Sequence, residues 1–142
     1  MNKKIFLDTD VILDLLTQRE PFYSSTVSLF HLIENKKISA FTSPVVYANI
    51  YYILTKFKGK KEVHQALSKL RLLLKIIPIG EEIIDHALAS DFQDFKDAIQ
   101  YYAATAANIP IIITRNTKDF QQYARDVQIA TTEEFLGFAS LE

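Results

Sequence analysis

The chain has no cysteine, and its 142 residues include only three glycines, four prolines and three histidines. Without cysteine, disulfides, thiolate zinc sites and cysteine nucleophiles are excluded. So few glycines and prolines leave little material for long flexible linkers. His31, His64 and His86 form neither an HxH nor an HExxH spacing, so no histidine-based metal site is expected. Each reads as a surface or helix-flank residue. A net charge of −1 gives no global attraction for a polyanion, and nucleic-acid binding would need a local patch. No apolar run approaches the ~20 residues that span a bilayer. Ile5-Phe6-Leu7, ahead of Asp8, is too short for a signal-peptide hydrophobic region. The expectation is a cytoplasmic protein with no membrane role.

What is present is ordinary for a globular protein, with 49% hydrophobic and 23% charged residues, enough for one domain over residues 1–142. Repeats, low-complexity tracts and domain boundaries are not evident. Lys4 to Leu7 is an apolar run ending on an acid and predicts a buried strand. Val11, Ile12, Leu15 and Leu16 follow at helical spacing. A second helix is predicted from about Ser24 to Asn35, and Ile38 to Thr42 reads as the second strand. Ser43-Pro44 supplies an N-cap and a proline at the first helical position, for a helix to about Phe57 that Gly59 ends. A helix over Lys61–Leu74, a strand over Lys75–Pro78, and helices over Gly80–Ser90 and Phe92–Ala107 follow. Ile111-Ile112-Ile113, within Pro110–Thr114, is the strongest strand signal. Asn116–Tyr123 reads as a short helix and Val127–Ala130 as the last strand. Thr131 with Glu134 forms a capping box for a terminal helix. Such alternation predicts an α/β fold, a three-layer α/β/α sandwich with a mainly parallel sheet.

In such sheets ligands bind beyond the carboxyl ends of the strands. Asp8, Thr9 and Asp10 fall there after the first strand, as do Thr114, Asn116 and Asp119 after the triple-isoleucine strand. Asp91, Asp94 and Asp97 enter the helix before that strand, where acids also complement a helix dipole. Gathered carboxylates repel one another and raise each other's pKa, a cost that a divalent cation removes. Oxygen donors without histidine or thiolate favour Mg²⁺ or Mn²⁺ over zinc, and such an ion suits phosphodiester hydrolysis. Asn49 has Val45, Val46, Tyr52 and Ile53 at helical spacing around it. It either satisfies a core hydrogen bond or points into the same polar site as Asp8.

These stretches, Phe6-Leu7-Asp8-Thr9-Asp10-Val11-Ile12-Leu13-Asp14-Leu15-Leu16, Asp94-Phe95-Lys96-Asp97-Ala98-Ile99-Gln100 and Ile113-Thr114-Arg115-Asn116-Thr117-Lys118-Asp119-Phe120, together resemble the PIN-domain family over essentially the whole chain. The resemblance implies an acidic pocket holding Mg²⁺ or Mn²⁺, with ribonuclease activity on RNA. It makes Asp8, Asp97 and Asp119 the acidic metal ligands, with Thr114 and Asn116 as polar companions, and Thr9 and Asp10 stand beside Asp8 as supporting residues. Asn49 stands where most members carry glutamate, so one charge is missing. Many bacterial members are VapC-type toxins held by a cognate antitoxin, and the resemblance implies a homodimer.

Two other readings use the same residues. Asp8-Thr9-Asp10-Val11 fits the opening signature of haloacid-dehalogenase-like phosphatases, with Asp8 as nucleophile and Asp10 as acid/base. Asn49 motivates a non-catalytic RNA-binding or interaction module on the same fold. Lys56, Lys58, Lys60 and Lys61, with Lys69, Arg71 and Lys75, read as a solvated basic face, and Tyr47, Tyr51 and Tyr52 as packing residues.

Overall fold

A computed structural model describes residues 3–140. Strands and helices alternate as β1 (Lys3–Leu7), α1 (Thr9–Leu16), α2 (Tyr23–Glu34), β2 (Ile38–Thr42), α3 (Pro44–Leu54), α4 (Lys60–Leu73), β3 (Lys75–Ile76), α5 (Glu81–Ala89), α6 (Phe95–Ala106), β4 (Ile111–Ile113), α7 (Thr117–Gln121), β5 (Gln128–Ala130) and α8 (Thr132–Ser140). The five strands form one sheet in the order β3-β2-β1-β4-β5, and every neighbouring pair is parallel. The expected α/β/α sandwich is the observed architecture.

Hydrophobicity sets the layering. Ile5, Phe6 and Leu7 of β1 and Ile112 and Ile113 of β4 are fully buried, as continuous apolar runs in a sheet covered on both faces require. Val11 and Ile12 of α1, Ile50 of α3, Ala104 of α6 and Phe135 of α8 close over them. Ile5 pairs with Ala40 on one side and Ile111 on the other, so β1 is the central strand. The chain builds outward through β2 and β3, then crosses back to place β4 on the opposite side of β1. That reversal opens a crevice at the carboxyl ends of β1 and β4. There the Asp8 N–H donates to the Ile113 carbonyl at 3.1 Å, fastening the start of α1 to the end of β4.

Several boundaries differ from the sequence expectation. Helix α1 begins at Thr9 rather than Val11, because the Asp8 carboxylate accepts from the Thr9 N–H and caps the first turn. Helix α3 stops at Leu54, where the Thr55 hydroxyl donates back to the Tyr51 carbonyl. Gly59 caps the start of α4 instead of ending α3. Helix α6 starts at Phe95 rather than Phe92, since Asp94 is its N-cap, and Phe92 packs against Tyr101 and Tyr123. β3 is confined to two exposed residues at the sheet edge. The capping box is reciprocal: the Thr131 N–H donates to Glu134 at 2.9 Å and the Glu134 N–H to the Thr131 hydroxyl at 3.1 Å. No helix among the described residues is long and apolar enough to cross a membrane.

Candidate active site

The crevice holds a cavity of about 310 Å³ lined by Asp8, Thr9, Asp10 and Leu13 of the β1–α1 junction and Val45 and Asn49 of α3. Asp94, Lys96, Asp97 and Gln100 close it from α6, and Arg19, Arg115 and Asn116 complete the wall. Of the residues singled out in the sequence, Asp8, Thr9, Asp10, Asn49, Asp97 and Asn116 therefore meet in one place.

Each carboxylate is held differently. Asp8 accepts from the Thr9 N–H at 2.8 Å and from the Thr114 hydroxyl at 2.9 Å. Burial still pushes its pKa up, against the lowering effect of those bonds and of Lys96. Asp10 accepts the Arg115 N–H at 3.1 Å through Oδ2, while its buried Oδ1 has no partner among the described residues. Burial, then the neighbouring Asp8 charge, raises its pKa to about 6. Asp97 is 8% exposed, and its buried Oδ2 has no hydrogen-bond partner among the described residues. Burial and the charges of Asp94, Asp8 and Asp119 push its pKa up to about 7, with Lys96 opposing. Asp94, the N-cap, accepts the Asp97 N–H at 3.1 Å.

Thr114 ties the site together. Fully buried, its hydroxyl lies between Asp8 and Asp10 and accepts the Asn116 N–H at 3.0 Å. The Asn49 amide nitrogen donates to the Thr9 hydroxyl at 3.4 Å, so of its two sequence readings the pocket-facing one is observed. Asp119 does not line this cavity. It is exposed, accepts the Asn116 amide at 2.8 Å, and lines an adjoining cavity of about 270 Å³ with Gln93, Asp94, Gln122 and Tyr123. Its influence on the pocket is through charge, on Asp97.

An important pair escapes sequence reasoning. Arg115 grips Asp14 with two parallel bonds, Nε at 3.0 Å and Nη2 at 3.2 Å, and its guanidinium stacks on Phe22 at 4.2 Å. Asp14 is 2% exposed, so this ion pair anchors α1 to the loop after β4. The available signal was Asp10 and Asp14 one helical turn apart on a shared face. Gln100 also escapes it; this side chain accepts the Ser43 hydroxyl at 2.7 Å in the buried wall. The basic stretch is a solvated face: Lys58 pairs with Glu62 and the Lys56 ammonium sits 4.3 Å over Tyr52. Tyr47 and Tyr51 pack against the core, whereas Tyr52 is 64% exposed.

The donor set suits a hard divalent cation. Asp8, Asp97, Asp10 and Asn49 offer carboxylate and amide oxygens, and the orphaned Asp97 oxygen requires a partner. Among the described residues no three acidic or histidine side chains are grouped closely enough to cage an ion by themselves. Two carboxylates supplemented by waters are the usual Mg²⁺ arrangement, so the residues fit such an ion.

Residues 4–118 match the PIN domain family. The chain is 29% identical over 139 residues to the Aquifex aeolicus protein named ribonuclease VapC1, with 94% of each chain covered. Its fold is similar to that of VapBC2 from Rickettsia felis, solved with a promoter DNA fragment (TM-score 0.68, 19% identity, 89% of this chain and 96% of that one). It is also similar to VapC20 of Mycobacterium tuberculosis, described as a sarcin-ricin loop cleaving toxin (TM-score 0.66, 16% identity, 87% and 98% covered).

Proposed function

The chain belongs to the PIN-domain family, and from that premise we propose that it is a Mg²⁺- or Mn²⁺-dependent ribonuclease, the toxin of a toxin–antitoxin pair. The observation that carries the reading is the buried, partnerless Asp97 carboxylate oxygen beside the cavity that Asp8 also lines, at the sheet's switch point. The relative named as a ribonuclease supports RNA as the substrate. The similarity in fold to a toxin–antitoxin complex from Klebsiella pneumoniae (TM-score 0.67, 23% identity, 90% of this chain and 97% of that one) supports an antitoxin partner, and the family resemblance supports a homodimer in the cytoplasm.

Asp8 and Asp97 are the residues that would hold the ion. A bound Mg²⁺ or Mn²⁺ supplies a water of lowered pKa and polarises a phosphoryl oxygen. The chain's own part is positioning. Thr114 and the Thr9 N–H orient Asp8, and the Arg115 N–H with the Thr114 hydroxyl fixes Asp10 beside it. Asp94 sets the first turn of α6 so that Asp97 faces inward. Asp119, in the adjoining cavity, adds negative charge that favours a cation in the pocket. Asn49 contributes a neutral amide where a carboxylate would add charge, so an ion here would be held by fewer negative groups.

Family membership disfavours the phosphatase reading, and Asp10 is occupied in tying the loop after β4. The test is cleavage of structured RNA with Mn²⁺ by the parent protein and by Asp97→Asn. Loss of cleavage with an intact circular-dichroism spectrum is expected. Cleavage that persists in the variant, or that survives chelation of the metal, would overturn the proposal.

A further inference from the structure

The acidic pocket contains cations that metal binding does not call for. Arg19, Lys96 and Arg115 line it together with Asp8, Asp10, Asp94 and Asp97. Arg115 is committed to Asp14. Arg19 and Lys96 are exposed, and among the described residues neither side chain makes a hydrogen bond or ion pair. Arg19 comes from the segment after α1, where its charge is felt by Asp14. Lys96 comes from the first turn of α6, where its charge is felt by Asp8 and Asp97. Two free cations therefore enter one acidic cavity from two different walls.

A site that only held a divalent ion would be weakened by neighbouring positive charge. A site that must also admit a polyanion needs it, because the carboxylates repel an incoming phosphodiester. Arginine and lysine on the rim are the groups that hold phosphate oxygens. We propose that Arg19 and Lys96 grip the phosphates on either side of the scissile bond, so that the RNA strand crosses the pocket from the α1 wall to the α6 wall. This inference rests on the ribonuclease reading above. It also assigns work to the two uncommitted cations that line the acidic cavity rather than to the more basic Lys56–Lys61 face, which lies outside it.

The test is Mn²⁺-dependent cleavage of a short labelled RNA under single-turnover conditions, with half-saturation measured across a salt series. Arg19→Ala and Lys96→Ala are each expected to raise half-saturation roughly tenfold at low salt, the scale of one charge-assisted hydrogen bond. Each should also flatten the plot of log affinity against log salt by about 0.7, and the double variant by about 1.4. Arg19→Lys should keep the parent slope. Mn²⁺ affinity, read by calorimetry, should be retained or tightened in both alanine variants. Unchanged slopes in an enzyme that cleaves RNA would overturn the grip and leave the ribonuclease reading standing. An equal effect in Lys60→Ala would show diffuse attraction and also overturn it, as would loss of Mn²⁺ binding in either variant. A parent protein that does not cleave RNA with Mn²⁺ would overturn both.

Discussion

Replacing Asp97 by asparagine should make the metal-free protein more stable while removing its affinity for metal. Burial and three neighbouring carboxylates raise the Asp97 pKa from 3.8 to about 7. The folded chain therefore binds more protons than the unfolded chain between those values. Stability from this group is fully present below pH 3.8 and is lost as pH rises through 7. A pKa raised from 3.8 to about 7 corresponds to about 4 kcal/mol in a water-free site. Screening by water that reaches the open pocket reduces that to on the order of 1–2 kcal/mol. The asparagine would carry no charge, and its amide donors would face the Asp8 and Asp94 carboxylates. Thermal unfolding in a chelator at about pH 8 should show the variant roughly 3–8 °C above the parent. The gap should narrow as pH falls below about 7 and close only below pH 3.8. Adding Mn²⁺ should raise the parent's Tm and leave the variant's unchanged. Because loading the site requires Asp97 to lose its proton, the parent's Mn²⁺ affinity should fall about tenfold per pH unit below about pH 7. A variant less stable than the parent at the alkaline pH, with the parent's pH slope intact, would refute the view that Asp97 is a strained carboxylate awaiting a cation.

Arg115→Met should cost about 2–4 kcal/mol in urea unfolding, because it strands the buried Asp14 charge, and Arg115→Met with Asp14→Leu should recover most of that stability. Thr114→Val deprives Asp8, Asp10 and the Asn116 N–H of a shared partner; a destabilisation of about 1–3 kcal/mol by chemical denaturation is expected, with reduced cleavage. Asn49→Asp adds a charge to the pocket, so calorimetry should show Mn²⁺ binding roughly three- to tenfold tighter, while the metal-free Tm drops.

Local patterns made much of this protein legible. The apolar runs at Ile5–Leu7 and Ile111–Ile113 are strands because their residues must be buried on both faces of a sheet. The capping box at Thr131–Glu134 joins residues three apart and closes as the sequence predicts. Asp8, Asp97 and Asn49 line one cavity, and the rule that ligands bind beyond strand carboxyl ends pointed to that edge. Helix boundaries moved where a side chain bonds the backbone at the helix end, as at Asp94 and Thr55.

The amino-acid sequence by itself thus determined the fold class and the acids at its carboxyl edge, since periodicity and element ends are set within a few residues. Tertiary structure alone decided the strand order, which places β4 beside β1 and so creates the crevice. It decided that Asp119 lines the neighbouring cavity and reaches the pocket by charge, and that Arg115 is spent on Asp14. It also left Arg19 and Lys96 free beside the acids. Those outcomes depend on which side chains meet across long stretches of chain, as in the 101-residue separation of Asp14 and Arg115. Charge alone does not specify a partner at that range. Packing of the elements that carry the charges does.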